Sequence, residues 1–502
     1  MDFVTLLLLF LSLAFSHVLV TKLRNTKLPP GPFPLPIIGN TLHLGRNRAH
    51  RSLAKLSKTY GPLMYLKLGT IQTIVASSPE MAREILQKHD QVCSNRTVSL
   101  AAQATNHHNG SIAYLPAGSK WRIFRQICKE HLFTAHKLQS SEALRQEKLQ
   151  QLRDYLHECC GSGRIVDIGE VAFVTSLNLI STTLFSPDFS HFGFDSVQEM
   201  KGTIRGLMNV LGTPNLADYF PVLKLIDPQG IKRKAEGYFG KLLAMFDEII
   251  SERMQSRCMP SSLDYPKKND LLEVIIDLNL ESDYDLSLED IKHFLLVSVF
   301  SFSPWIYDES SSNTTEWAMA ELLRNPKIMS KAKDELKTVI GENKQVGESD
   351  ISKLPYLCAM IKEAFRCYPG GPVLIPHKAD TNVEINGYMV PKDSQILVNV
   401  WAMGRDSSIW SNADMFEPER FLDNEIEYRG HDFEFIPFGS GRRICPGMPL
   451  ARIMVHLMVA SLIHNFEWKL EPGMKPEEID MNDVLGLSLQ KAVPLEAFPI
   501  KS

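Results

Sequence analysis

The stretch FIPFGSGRRICPG, residues 435–447, constrains the chain more than any other. Gly439, Gly441 and Gly447 free its backbone to turn tightly, and the pattern of an apolar helix, MPLARIMVHLMVASLIHNF, follows at once. Glycines let a backbone close around a guest and aim its amides inward. A thiolate at Cys445 is then supported by those amides, by Arg442 and Arg443, and by the positive end of the helix. The rest of the chain has to fold so that a partner reaches that cysteine.

The 502 residues leave ample room for a large core, and 44% hydrophobic with 22% charged residues is ordinary for a globular enzyme. A formal charge of -4 gives no bulk attraction to nucleic acid, which is set aside as a partner. Eight cysteines in so long a chain do not make a disulfide framework. The run FVTLLLLFLSLAFSHVLV, residues 3–20, is long enough to cross a thin bilayer such as that of the endoplasmic reticulum. Asp2 precedes it and Lys22, Arg24 and Lys27 follow, so the positive-inside rule leaves the remainder cytosolic. It has neither the basic start nor the small-x-small site of a cleaved signal peptide. A cytosolic location also leaves the sequons at Asn95, Asn109 and Asn313 unglycosylated.

The expected organisation is an anchor at 1–21, a basic, proline-rich hinge at 22–40, and one catalytic domain at 41–502. Prolines 29, 30, 32, 34 and 36 predict a stiff, extended connector. LMYLKLGTIQTIVA reads as a hairpin, and PEMAREILQKHD as a helix opened by proline. Residues 139–158 and 230–255 are long amphipathic helices, and 257–270 reads as a surface loop between helices. VEINGYMV and QILVNV predict short strands, followed by irregular chain from about 406 to 438. The fold class is mainly α with small β-sheets, an α+β domain. His107 and His108 read as loop histidines, and HECC at 157–160 as a helix end, since neither has further ligands at metal spacing.

Three chemistries could use Cys445. A G-x-G-x-x-G nucleotide loop fails because Ile444 stands at the third glycine. A cysteine hydrolase needs a partner base, and His431 is only a neighbour in sequence. The third is a haem iron ligand. Phe438, Gly441, Arg443, Cys445 and Gly447 match F-x-x-G-x-R-x-C-x-G, and the chain thereby resembles the cytochrome P450 family. Glu363 and Arg366 match the family's E-x-x-R, and Arg420 in FEPERF completes the buried ion network this implies. Trp121 and Arg125 match its W-x-x-x-R, so the resemblance implies propionate contacts from Arg125, from His377 after LIP, and from Arg443. VEINGYMVPKDSQILVNVWAMGRD and NTTEWAMAELLRNP are similar to plant microsomal members of the geraniol-hydroxylase and ferruginol-synthase type.

The resemblance implies haem b (iron protoporphyrin IX) on Cys445 and monooxygenation of a lipophilic, terpenoid-type substrate. It also implies O2, NADPH–cytochrome P450 reductase and an endoplasmic reticulum membrane as partners. Lys120, Arg122, Lys129 and Arg442 would be basic contacts for the reductase, although each alone reads as a solvated cation. The substrate wall would draw on Leu207, Met208, Leu211, Tyr307, Val373, Leu374 and Leu487.

The chain departs from the family at SFSPWIYDESSSNTTEW, residues 301–317. Where the family places Ala/Gly-Gly-x-Asp/Glu-Thr-Thr/Ser, this chain has Ile306 to Ser311, which keeps an acid–alcohol pair as Glu309 and Ser310. An acid can relay protons inward and a hydroxyl can hold the reacting oxygen. Tyr307 should crowd a groove that a glycine would leave open, and Pro304 removes a helix hydrogen bond upstream. Matched flanks around a longer, unrelated centre also fit a shifted exon boundary. The alternative expectation is a haem protein of the same fold with impaired or lost monooxygenase activity. A hydroperoxide-rearranging enzyme ranks last.

Overall fold

Gly69 and Thr70 separate two apolar-rich runs and turn the chain between strands β1 (Leu63–Leu68) and β2 (Ile71–Ala76), an antiparallel pair as the alternation predicts. The computed structural model describes residues 27–45, 48–188, 195–258, 268, 270–280, 286–297, 308–342 and 344–501. The expected anchor at 1–21, the start of the hinge, Pro304 and Tyr307 lie outside the described residues. Of residues 308–310 only the backbone is described, so the side chains of Glu309 and Ser310 lie outside as well.

The other strands are β3 (Asn95–Arg96), β4 (Val166–Asp167), β5 (His377–Lys378), β6 (Val383–Ile385), β7 (Tyr388–Val390), β8 (Gln395–Val398), β9 (Phe466–Lys469), β10 (Asp483–Leu485), β11 (Leu489–Lys491) and β12 (Glu496–Lys501). One sheet runs β1-β2-β8-β5-β3, a second β4-β12-β9, and β6–β7 and β10–β11 are hairpins. Strands β2 and β8 pair in parallel, with Thr73 opposite Gln395, across more than three hundred residues of sequence.

The longer helices are α1 (Ala49–Tyr60), α2 (Ser119–Ile127), α3 (Glu142–Ser162), α4 (Ile168–Phe185), α5 (Asp195–Gly212), α6 (Ile231–Cys258), α7 (Leu271–Leu280), α8 (Leu288–Val297), α9 (Asp308–Arg324), α10 (Pro326–Ile340), α11 (Pro355–Cys367) and α12 (Met448–Asn465). Helix α4 is apolar enough by length and composition to cross a membrane, yet most of it is buried in the protein, against α3 and α9. It is the central core helix, hydrophobic around most of its circumference because neighbours cover it. The largest core cluster joins α3, α4 and α9 to α12, so the cysteine loop is welded to the core through the helix it precedes.

Two expectations are adjusted. The proline segment is not a free extended connector: from Pro30 onward it docks on the edge of β1. The Pro30 carbonyl accepts the Tyr65 amide at 2.9 Å, and Asn40 donates to the Pro32 carbonyl at 3.1 Å. An edge strand leaves amides and carbonyls unpaired, and this segment pairs them. His107, read as a loop histidine, lies in a short turn but is not exposed. It is buried in the turn Ala104–Asn109, with its Nδ1 3.3 Å from Nδ1 of His293 on α8. HECC lies in the last turns of α3, which Gly163 ends in the left-handed conformation.

Candidate haem-thiolate site

Ser78 caps the helix Pro79–Arg83 by accepting the Met81 amide, and the next turn, Glu84–Lys88, widens to π geometry. That turn lifts the Leu86 carbonyl toward the cysteine loop. A Cβ on Gly441 would stand 2.0 Å from this oxygen, and Gly441 has φ +65°. Only glycine satisfies both conditions. The loop then closes on itself: the Cys445 amide donates to the Phe438 carbonyl at 3.0 Å, and the Ile444 amide to the Gly441 carbonyl at 3.1 Å. Gly447 is the N-cap of α12, with Pro449 in its first turn.

Above this loop is a cavity with roughly 1030 Å³ of unfilled space, its mouth included. Cys445, Phe438 and Gly439 line one wall, Trp121 and Arg125 of α2 another, and Thr314 of α9 a third. Phe365, Gly370, Gly371 and Leu374 close the side next to α11. Among the described residues no carboxylate lines it, yet Arg96, Arg125, His377 and Arg443 all do.

Among the described residues these side chains are held by backbone oxygens rather than by acids. Arg443 donates to the carbonyls of Ser94 at 2.7 Å, Ile112 at 3.3 Å and Leu115 at 2.5 Å, and lies over the Trp121 ring at 4.6 Å. Arg125 donates to the Ile444 carbonyl at 2.7 Å and also faces Trp121. Arg96 donates to the carbonyls of Ala113 at 3.2 Å and Ile375 at 2.6 Å. The His377 Nδ1 hydrogen goes to the Cys93 carbonyl at 2.7 Å.

Burial, and then the charge of Arg125, lower Arg443 to about 10. Burial and Arg443 push Arg96 well down, and burial and Arg96 do the same to His377. Three guanidinium groups crowded out of water without a counter-charge cost folding energy unless an anion joins them. A guest with two carboxylates for the arginines and an apolar body that the Cys445 thiolate could ligate would meet that demand. The propionates and macrocycle of haem b fit it.

Arg96 was not singled out by motif. Between Gln91 and Ser119 it is the only Asp, Glu, Lys or Arg, and a lone cation in so long an uncharged stretch was the signal available.

Behind the loop, Glu363 is fully buried on α11. Arg366 reaches both of its carboxylate oxygens at 2.7 Å, and Arg420 donates to Oε1 at 3.0 Å. The remaining donors of Arg366 go to the carbonyls of Ala413 at 2.7 Å, Met415 at 2.9 Å and Gly404. The structure thus brings Glu363, Arg366 and Arg420 together, and this cluster ties α11 to the irregular segment that leads into the cysteine loop.

Of the proposed substrate wall, Leu374 lines the cavity. Val373 packs beneath the β1–β2 hairpin instead. Leu207 and Met208 are buried on α5, and Leu211 and Leu487 pack beside the same cluster. Two of the basic surface residues are not unpaired cations: Lys120 pairs with Asp290 and Arg442 with Asp90, each at 2.8 Å.

Comparison with known proteins identifies the family. The family described as "Cytochrome P450" matches residues 29–495. The chain is 52% identical over 500 residues to "Cytochrome P450 76T24" of Catharanthus roseus, covering 99% of this chain and 98% of that one. It is 49% identical over 482 residues to "Ferruginol synthase" of Isodon rubescens, with 96% of each covered. It is 48% identical over 478 residues to "Carnosic acid synthase" of Rosmarinus officinalis, covering 94% and 93%. Full-length similarity to proteins named as synthases does not favour the reading as an inactive haem protein. By the family match across nearly the whole chain and by this identity, the protein belongs to the cytochrome P450 family and is a haem b monooxygenase.

Proposed function

We propose that this monooxygenase places one atom of O2 into a C–H bond of a terpenoid-type molecule, with two electrons from NADPH delivered by NADPH–cytochrome P450 reductase. The observation that carries this reading is the cavity itself: largely apolar walls above Cys445, in a chain nearly half identical to relatives named ferruginol synthase and carnosic acid synthase. Bound haem supplies the redox chemistry, and thiolate donation favours O–O cleavage.

In this reading Cys445 is the iron ligand, and Arg96, Arg125 and Arg443 hold the propionates. His377 has already given its Nδ1 hydrogen to Cys93, so it donates to a propionate from Nε2 only as the imidazolium. Burial and the nearby arginines keep His377 neutral on its own, and it would hold a propionate as a donor only where that carboxylate's charge offset them. Glu309 and Ser310, in the first turn of α9, relay the proton and hold the reacting oxygen. Leu374 bounds the substrate, with Leu207, Met208, Leu211, Val373, Leu487 and Tyr307 as the outer wall.

The catalytic domain sits against the endoplasmic reticulum membrane, anchored by residues 1–21 and facing the cytosol. Support comes from an exposed apolar face where the described chain begins. Ile37, Leu42, Val222, Leu225 and Ile226 are all exposed, Leu225 at 94%. Their segments meet around Gly69 and Thr70, whose amides donate to the carbonyls of Ile38 at 3.2 Å and Tyr219 at 2.9 Å. So much apolar surface on one face suits a lipid interface.

The test is spectroscopy and turnover on the full-length protein. The reduced protein with carbon monoxide should give a thiolate-type Soret band, which Cys445→Ser abolishes. With reductase and NADPH, a terpenoid panel should yield hydroxylated product. Glu309→Gln and Ser310→Ala should slow product formation and divert electrons to hydrogen peroxide. A thiolate band without product from any terpenoid would overturn the substrate class and leave the haem site standing.

A further inference from the structure

Behind the cavity, Trp317 of α9 and Tyr368, the residue that ends α11, stack face to face. Their ring centroids are 4.1 Å apart and their planes 3° from parallel. The Tyr368 hydroxyl donates to Oε1 of Glu321 at 2.5 Å, one turn beyond Trp317 on α9. Trp317 and Glu321 are both buried. Each ring stands about one turn from a residue that lines the cavity: Thr314 precedes Trp317, and Phe365 precedes Tyr368.

A phenol yields an electron readily only when its proton has somewhere to go. Burial, and then the charge of Glu321, push the Tyr368 hydroxyl well above its ordinary value, so it does not ionise by itself. Burial also raises Glu321, against the hydrogen bond from Tyr368, which makes its carboxylate a stronger proton acceptor than an exposed one. Trp317 has no such base: its N–H goes to the Leu489 carbonyl, and the ammonium of Lys491 lies 4.9 Å from its ring. A cation that close disfavours a positively charged indole. An oxidised state that reaches the pair therefore settles on Tyr368. Further out, the Arg405 guanidinium lies 5.8 Å from the Tyr368 ring and 4.3 Å from that of Trp401. Trp401 is partly exposed and lies against Arg51, itself half-exposed.

We propose that Tyr368 is a redox-active tyrosine that, with Glu321 as its proton acceptor, discharges oxidising equivalents stranded at the haem when no substrate consumes them. Tyr368 gives one electron, by way of Trp317, to the oxidised haem site; its O–H bond breaks and the proton passes to Oε1 of Glu321. The tyrosine is oxidised by one electron and the haem site is reduced by one. A thiol in solution then returns an electron by way of Trp401, and Glu321 returns the proton, which restores the phenol. The proposal rests on the haem-site reading, which the carbon monoxide spectrum tests separately.

The experiment uses substrate-free, full-length holoprotein, with haem content and carbon monoxide spectrum matched between parent and variants. Each sample is mixed with m-chloroperbenzoic acid, an organic peracid, rapidly frozen and read by electron paramagnetic resonance. The parent should show a tyrosyl radical, identified by the collapse of its hyperfine splitting when the protein carries ring-deuterated tyrosine. Tyr368→Phe keeps the ring stack, and Glu321→Gln keeps an acceptor oxygen without the base; both should lose this signal. Tyr388→Phe, on β7, should retain it. Tyr368→Phe should also bleach its haem faster under the peracid. If Tyr368→Phe fails to load haem, Glu321→Gln decides alone. No tyrosyl radical in the parent, a radical that survives in either variant, or equal bleaching would overturn the proposal. Absence of the thiolate band in the parent would instead overturn the haem reading.

Discussion

Gly441 has two independent reasons to be a glycine: its φ of +65° and the Leu86 carbonyl 2.0 Å from where a Cβ would sit. Gly441→Ala should cost on the order of 2–3 kcal/mol and push the π turn at Glu84–Lys88 away from the loop. Chemical unfolding reads the first effect and haem content the second. Arg96 is the other residue whose weight only the fold reveals. Because Arg96, Arg125 and Arg443 repel one another without an anion, Arg96→Met should raise the stability of haem-free protein while speeding haem loss. A haem-transfer assay against unfolding of the apoprotein separates these opposite signs. Phe438, Gly441, Arg443 and Cys445 were legible because they stand at the steps of the motif by which the chain resembles its family, while their spacing alone left other cysteine chemistries open. Arg96 was not, because its neighbours in space, Ala113, Ile375 and Arg443, are scattered through the sequence.

Between elements, buried charge decides how helices dock. Glu363 accepts from Arg366, Arg420 and the Glu417 amide, so removing it strands two guanidinium groups in the interior. Glu363→Ala should destabilise by about 3–5 kcal/mol, and Glu363→Gln by less, as urea unfolding would show. Glu316 on α9 is a second case. Burial pushes its carboxyl up to about 7, although the Leu495 amide at 2.8 Å favours the anion and Asp167 opposes it. An acid with a folded pKa near 7 and an ordinary value of 4.5 keeps its proton in the folded state after the unfolded chain has lost it. Stability therefore falls as pH rises across that window, by at most about 3 kcal/mol, and Glu316→Gln should flatten the slope. Unfolding midpoints collected from about pH 5 to pH 8, across the window between the two values, would show a parallel decline in both proteins if Glu316 were not responsible. Helix positions and the β1–β2 hairpin were readable from periodicity, since 3.6- and 2-residue repeats are local properties. The parallel pairing of β2 with β8 was not, because nothing local marks a partner three hundred residues away.

At the scale of the molecule, the exposed face at Ile37, Leu42, Val222 and Leu225 would, in the membrane-bound arrangement proposed above, give lipid a second contact beyond the anchor. A chain starting at residue 27 should still bind anionic vesicles, and Val222→Asp with Leu225→Asp should release it, as flotation would show. Vesicle binding unchanged by both aspartates would leave residues 1–21 as the sole attachment. The sequence by itself determined the family, the cysteine-loop motif, the acid–arginine cluster and the mainly helical class, because each is written in short motifs or in periodicity. Only the tertiary structure decided that the proline segment docks on β1, and that Arg96, Arg125, Arg443 and the neutral His377 line one cavity without a carboxylate among the described residues. Those facts depend on distances between residues far apart in the chain, and such distances are set by packing of the whole core rather than by any stretch of it.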